Sequence, residues 1–205
     1  PLTDTARQQL AELHDLRLIQ ITLAHPADLP QVAHLRMAPP EPDADPAAIA
    51  EAVDYERAQA ARALPGASPE LLDYYANVLN GSVVHEFSLL RALGIPLPTA
   101  WQASAFPSLT DAPPCLLAHA QVGDARLVLS WNWLPEHPEY HEELRVLASN
   151  GRLEYSLAKP YLLEARSHLR VQRHDGLQRQ DTSYLEGYET GFLRQLDAFA
   201  ASVRD

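Results

Sequence analysis

The sequence predicts an α+β fold: a mostly antiparallel open sheet with helices packed on one face and the other face free for dimerisation. Three observations lead there. Leu71, Leu72, Tyr75, Val78 and Leu79 recur at helical spacing, and a further helical run extends from Ser82 to Leu93. From Thr99 onward the period becomes alternating. The chain then closes on Leu185, Tyr188, Phe192, Leu196, Phe199 and Val203, one apolar stripe of a final helix from about Ser183.

Taken in order, the first helix is expected from Asp4 to about His14, with Thr3 as its N-cap. Leu16 to Ala24 alternates and is rich in branched residues, so it reads as a strand. Pro26, Pro30, Pro39, Pro40, Pro42 and Pro46 then predict an irregular excursion, because each proline removes a donor and turns its predecessor away from helix. Asp45-Pro46 caps an alanine-rich helix ending before Pro65-Gly66, and Ser68-Pro69-Glu70 starts the next one. Gly81 is expected to break or kink the chain before the helix from Ser82 to Leu93, which Gly94 and Pro96 stop. Strands follow at Ala100 to Phe106, Leu116 to Gln121, Ala125 to Trp133, His141 to Ala148, Arg152 to Leu157 and His168 to Arg173. Gly123-Asp124 and Asn150-Gly151 stand where tight hairpins need positive φ. One domain is expected over residues 1–205, with a Pro/Ala-rich excursion and helix at about 26–66.

Composition excludes several classes of function. The net charge of −11 argues against a nucleic-acid partner, which needs clustered Lys and Arg. No apolar run is long enough to span a membrane, and Asp4, Glu12 and Asp15 interrupt the start as no signal peptide would. The single cysteine, Cys115, allows no internal disulfide and fits a cytoplasmic setting. His137 and His141 are four apart among glutamates, a zinc spacing on a helix. Pro138 and the strand that follows would instead set them about 13 Å apart, so the segment reads as an acidic loop and no metal is expected. Trp131 and Trp133 share a face with Leu129 and are expected to bury against a second subunit across the open sheet. No Gly-x-Ser-x-Gly elbow supports serine catalysis.

The residue that asks for chemistry is His85, in the first turns of an otherwise mostly apolar helix and followed by Leu89-Leu90-Arg91 and Gly94. Asn80 to Gly94, the passage Tyr140-His141-Glu142-Glu143-Leu144-Arg145-Val146 through Gly151-Arg152-Leu153, and Tyr184 to Val203 occur in an order that resembles the C-terminal domain of the glucose-fructose oxidoreductase/inositol dehydrogenase family. The resemblance covers nearly the whole chain. It implies a substrate-binding and dimerisation domain of an NAD(P)-dependent oxidoreductase acting on a sugar or polyol, working as a homodimer or higher homo-oligomer. His85 matches the family's histidine and would be the proton-transfer group, since imidazole titrates near neutral pH. Ser82, one turn away, and His25, directly after the first strand, are the expected substrate contacts.

The sequence also departs from that family. Gly81 and Ser88 stand where its motif has acids, so His85 lacks a partner on its own helix. No Gly-x-Gly-x-x-Gly and no Glu-Lys-Pro occur, so NAD or NADP would be held by a Rossmann domain outside this chain, and the chain alone is expected to bind no dinucleotide and to be inactive. The other reading is a non-catalytic ligand-binding or assembly domain that has lost dehydrogenase chemistry.

Overall fold

A computed structural model describes residues 2–35, 45–107, 114–159, 161–162, 164–188 and 191–204. Pro39, Pro40 and Pro42 of the expected excursion lie outside the described residues. Helix α1 (Leu2–Ala11) leads into β1 (Leu16–His25), a short α2 (Asp28–Val32), α3 (Pro46–Ala63) and α4 (Pro69–Tyr74). A π-helix (Tyr75–Val83) joins α4 to α5 (Val84–Ala92). Then come β2 (Gln102–Phe106), β3 (Cys115–Val122), β4 (Ala125–Trp133), β5 (His141–Ala148), β6 (Gly151–Ser156), β7 (His168–Asp175), β8 (Gln178–Leu185) and α6 (Gly191–Arg204).

The strands make one eight-stranded sheet in the order β2-β3-β4-β1-β5-β6-β7-β8. β1 runs parallel to β4 and antiparallel to β5; the other neighbours pair antiparallel. Two-residue alternation sorts the side chains. Ile19, Ile21, Leu127, Leu144, Val146, Leu153, Leu169 and Val171 point to one face and are buried. Helix α1 lays Leu2, Ala6 and Leu10 on that face, and α5 adds Leu89, Leu90 and Leu93. Burying each large aliphatic stabilises by about 1.5–3 kcal/mol relative to leaving it exposed, so this single layer of helices on sheet carries the fold.

The opposite face is open and polar. Arg145 reaches Glu143 at 2.8 Å and Glu154 at 3.4 Å, Arg152 reaches Glu154 at 3.6 Å, and Arg170 meets Asp181 at 2.5 Å. Trp131 is not on it, contrary to expectation. Trp131 is 3% exposed and belongs to the helix-covered core, because it alternates with Leu127 and Leu129 rather than with Arg126 and Val128.

Several local expectations are corrected. Thr3 lies inside α1, and its hydroxyl meets the Tyr155 hydroxyl at 3.1 Å instead of capping the helix. Residues 28–32 are helical despite Pro30, which falls in the first turn, where backbone N–H groups have no intrahelical acceptor. Asp45 and Ser68 do cap α3 and α4, accepting from the amides of Ala47 and Leu71. Gly81 breaks nothing, since the coil runs continuously through it. Gly123 adopts φ +57°, as a tight turn requires, whereas Gly151 does not have positive φ. Residues 178–185 form an edge strand where the onset of the last helix was expected. Gly176, at φ +58°, turns the chain back along β7. The strand's largely exposed residues lack the apolar alternation that would mark it in a sequence.

Candidate functional site

The site arises where the sheet's buried rows change character. Leu23 lies between Trp131 and Glu142 in the strand register, one step beyond the aliphatic row of Ile21, Leu129 and Leu144. One step further, His25 pairs with Trp133. Tyr140, two residues before Glu142, meets the His25 ring edge-on at 5.6 Å. The same alternation that builds the core therefore carries an acid, two indoles, a phenol and an imidazole onto the helix-covered side.

The helix above this end is set by the π-helix. Tyr74 and Val78 are buried, and the next buried position is Val83, five residues on. That is the spacing of an i→i+5 turn, and the Val84 amide does bond to the Leu79 carbonyl. At 3.6 residues per turn, an uninterrupted α-helix would bring position 85 inward about two turns after Val78. The wider turn moves the stripe to Val83, Glu86, Leu90 and Leu93 instead. His85 is exposed, and Glu86 is 2% exposed.

Glu86 is the anomaly of this surface. Neither carboxyl oxygen has a hydrogen-bond partner although both are buried. Burial, and then the negative charge of Glu142, push its acid up to about 8, offset in part by its own backbone amide. Glu142, 8% exposed, accepts a 2.7 Å hydrogen bond from the Tyr140 hydroxyl. Burial raises its pKa too, against the lowering effects of that bond and of His85 and His141. Tyr140 in turn is held far above the usual phenol range by burial and by Glu142.

His25 is packed among rings, 5.4 Å from Trp133 and 6.0 Å from Trp131. Its Nδ1 donates to the Pro26 carbonyl at 2.8 Å, since a carbonyl can only accept; Nε2 lies 4.0 Å from Asp28. Ser82 accepts a 2.8 Å hydrogen bond from the Trp131 indole, tying the π-helix to β4. The structure thus brings His85, Ser82 and His25 to one end of the sheet. Sequence reasoning passed over Glu86 and Glu142, yet each had a signal. Glu142 alternates with Leu144 and Val146, and Glu86 precedes Leu90 and Leu93 by four and seven positions.

Beside this polar end lies an apolar cavity of about 520 Å³, walled by Tyr74, Leu79, Val83, Phe87, Trp101 and Leu116. Burial pushes the Tyr74 phenol up to about 12, and its hydroxyl has no partner. Among the described residues no group of three or more His, Cys, Asp or Glu could hold a metal.

No protein-family model matches the chain, and no curated protein matches it. Solved structures do share its fold. An oxidoreductase from Pseudomonas syringae matches at 15% identity and TM-score 0.52, over 93% of this chain and 40% of its own. An inositol dehydrogenase homologue from Azotobacter vinelandii, complexed with NADH and myo-inositol, matches at 15% identity and TM-score 0.51, over 91% and 41%. A super-repressor mutant of Gal80p from Saccharomyces cerevisiae matches at 10% identity and TM-score 0.60, over 99% and 50%. The chain spans half or less of the length of each of these structures. The chain therefore shares its fold with oxidoreductase, inositol dehydrogenase homologue and Gal80p structures, in line with the resemblance carried by Asn80 to Gly94 and Tyr140 to Leu153.

Proposed function

We propose that this chain is the substrate-binding and dimerisation domain of a cytoplasmic NAD(P)-dependent oxidoreductase acting on the CH–OH group of a sugar or polyol. His85 is its proton-transfer group, and Ser82 and His25 are its substrate contacts. The observation that carries this reading is the grouping of His85, His25, two buried acids and the indoles of Trp131 and Trp133 at one end of the sheet. The fold shared with a homologue holding NADH and myo-inositol supports it. NAD(P), held outside this chain, supplies the hydride acceptor. The chain's own residues remove the hydroxyl proton and orient the carbon skeleton.

In the protein assayed with its dinucleotide-binding domain, His85→Ala should lower the turnover number by about 10²–10⁴-fold, the usual worth of a general base, with cofactor affinity kept. Unchanged turnover overturns the assignment.

The open face is the proposed dimer surface. Its arginines and acids alternate across β5, β6, β7 and β8, a pattern that can pair with itself about a two-fold axis. Sedimentation of the chain should show a dimer that weakens as salt rises, because exposed charges are screened. A monomer at every concentration rules that surface out.

The second reading, a non-catalytic ligand-binding or assembly domain, is favoured by the exposure of His85, by Gly81 and Ser88 in place of acids, and by the shared fold with Gal80p. It predicts polyol binding without turnover.

A further inference from the structure

Ser82 and Ser88 sit on one run of coil and use their hydroxyls differently. Ser88 donates to the Val84 carbonyl at 2.9 Å, the back-bond that a serine inside an α-helix commonly makes. Ser82 lies in the π-helix, where carbonyls are drawn toward amides five residues on, as that of Leu79 is toward Val84. Among the described residues its hydroxyl makes one hydrogen bond, at 2.8 Å to the Trp131 indole. An indole N–H can only donate, so the Ser82 oxygen accepts and the Ser82 proton is left over.

The surroundings of the indole hold this arrangement in place. Trp131 is buried, its ring stacked on Trp133 with centroids 6.5 Å apart and planes 10° apart, and it lies 6.0 Å from the His25 ring. Ser82 itself is half-buried, so a molecule seated at this end of the sheet can reach it.

We propose that Trp131 is a positioning residue that makes Ser82 a one-way contact, a hydrogen-bond donor to an oxygen lone pair of the bound sugar or polyol. The proposal rests on the placing of Ser82 among the ligand contacts and deepens it, and it holds for a catalytic and a non-catalytic domain alike. The line from the Trp131 N–H through Ser82 to the ligand is cooperative. Accepting from the indole makes the hydroxyl a stronger donor, and donating to the ligand makes its oxygen a better acceptor. The recognised group must accept, as a hydroxyl, ring or carbonyl oxygen does. A methylene in its place leaves the Ser82 proton unpaired at a half-buried position, and this is how the contact selects.

The test uses the protein with its dinucleotide-binding domain and two probes, myo-inositol and glucose, with the monodeoxy forms of whichever binds more tightly. Ser82→Ala should weaken binding of that probe about three- to tenfold, the worth of one hydrogen bond. One monodeoxy form should bind the parent weaker by a similar factor and bind Ser82→Ala as well as the full probe does. Ser82→Thr, which keeps the hydroxyl, should recover most of the loss, and Ser88→Ala should leave binding unchanged. The Trp131 indole N–H resonance, identified by its loss in Trp131→Phe, should move on binding in the parent and much less in Ser82→Ala. A merely structural tie would cost stability in Ser82→Ala without altering the deoxy comparison. If a probe binds parent and Ser82→Ala equally, or every monodeoxy form keeps its penalty in Ser82→Ala, this proposal fails and the ligand-binding reading stands. If neither probe binds the parent, that reading fails and this proposal with it.

Discussion

Glu86→Gln should reverse its effect on stability between acid and alkaline pH. The folded chain holds the Glu86 proton up to about pH 8, whereas the unfolded chain releases it near the ordinary value of 4.5. Between those limits the folded state binds more protons, so the contribution is full below about 4.5, declines as pH rises and is lost above about 8. Glu142, also raised, acts in the same sense. Gln cannot ionise and escapes the decline, but it leaves a buried amide short of partners. The variant should therefore be about 1 kcal/mol less stable than the parent near pH 5 and about 2–4 kcal/mol more stable near pH 9. Denaturant unfolding at the two pH values reads this directly. Parallel curves for parent and variant would show that Glu86 is not a buried acid.

A second large effect is expected at Gly151. A Cβ there would lie 2.3 Å from the Gln172 carbonyl oxygen and 3.2 Å from the Arg173 Cα, both backbone atoms that cannot swing aside. Gly151→Ala must push β6 from β7 at the register pairs Gly151–Arg173 and Arg152–Gln172. The cost should be about 2–4 kcal/mol, as for overpacking that the backbone must absorb. Gly123→Ala, strained by its positive φ but facing open space, should cost only about 1 kcal/mol. Equal losses at the two glycines would contradict this account. Asn150, beside Gly151, earns its place through its side chain, which accepts from the His14 amide and donates to the Glu12 carbonyl.

The sheet was legible because burial imposes a period of two. Seven strands could be read from alternation, and an eighth, β8, could not, since most of its side chains face solvent. The final helix was legible as a stripe, but a stripe says nothing about what covers it. Phe192, Leu196, Phe199 and Val203 are each at least 65% exposed. At the site, the residue that looks out of place on an apolar helix is His85. The more deeply buried ionisable group was its neighbour. Nothing in a residue list marks a change of helical pitch, and that pitch decides which of two adjacent side chains turns inward. Trp131 was misplaced for a simpler reason: alternation tells which residues share a face, not which face the helices choose.

The π-helix bears finally on which side chain stands one turn before His85. A turn of this kind behaves like one extra residue taken into a helix, with everything downstream left in phase. Counted along the wider coil, the residue one turn before His85 is Asn80, while Gly81 falls beside that line. An amide side chain, Asn80, therefore stands on His85's line of the coil, where α-helical counting would put Gly81.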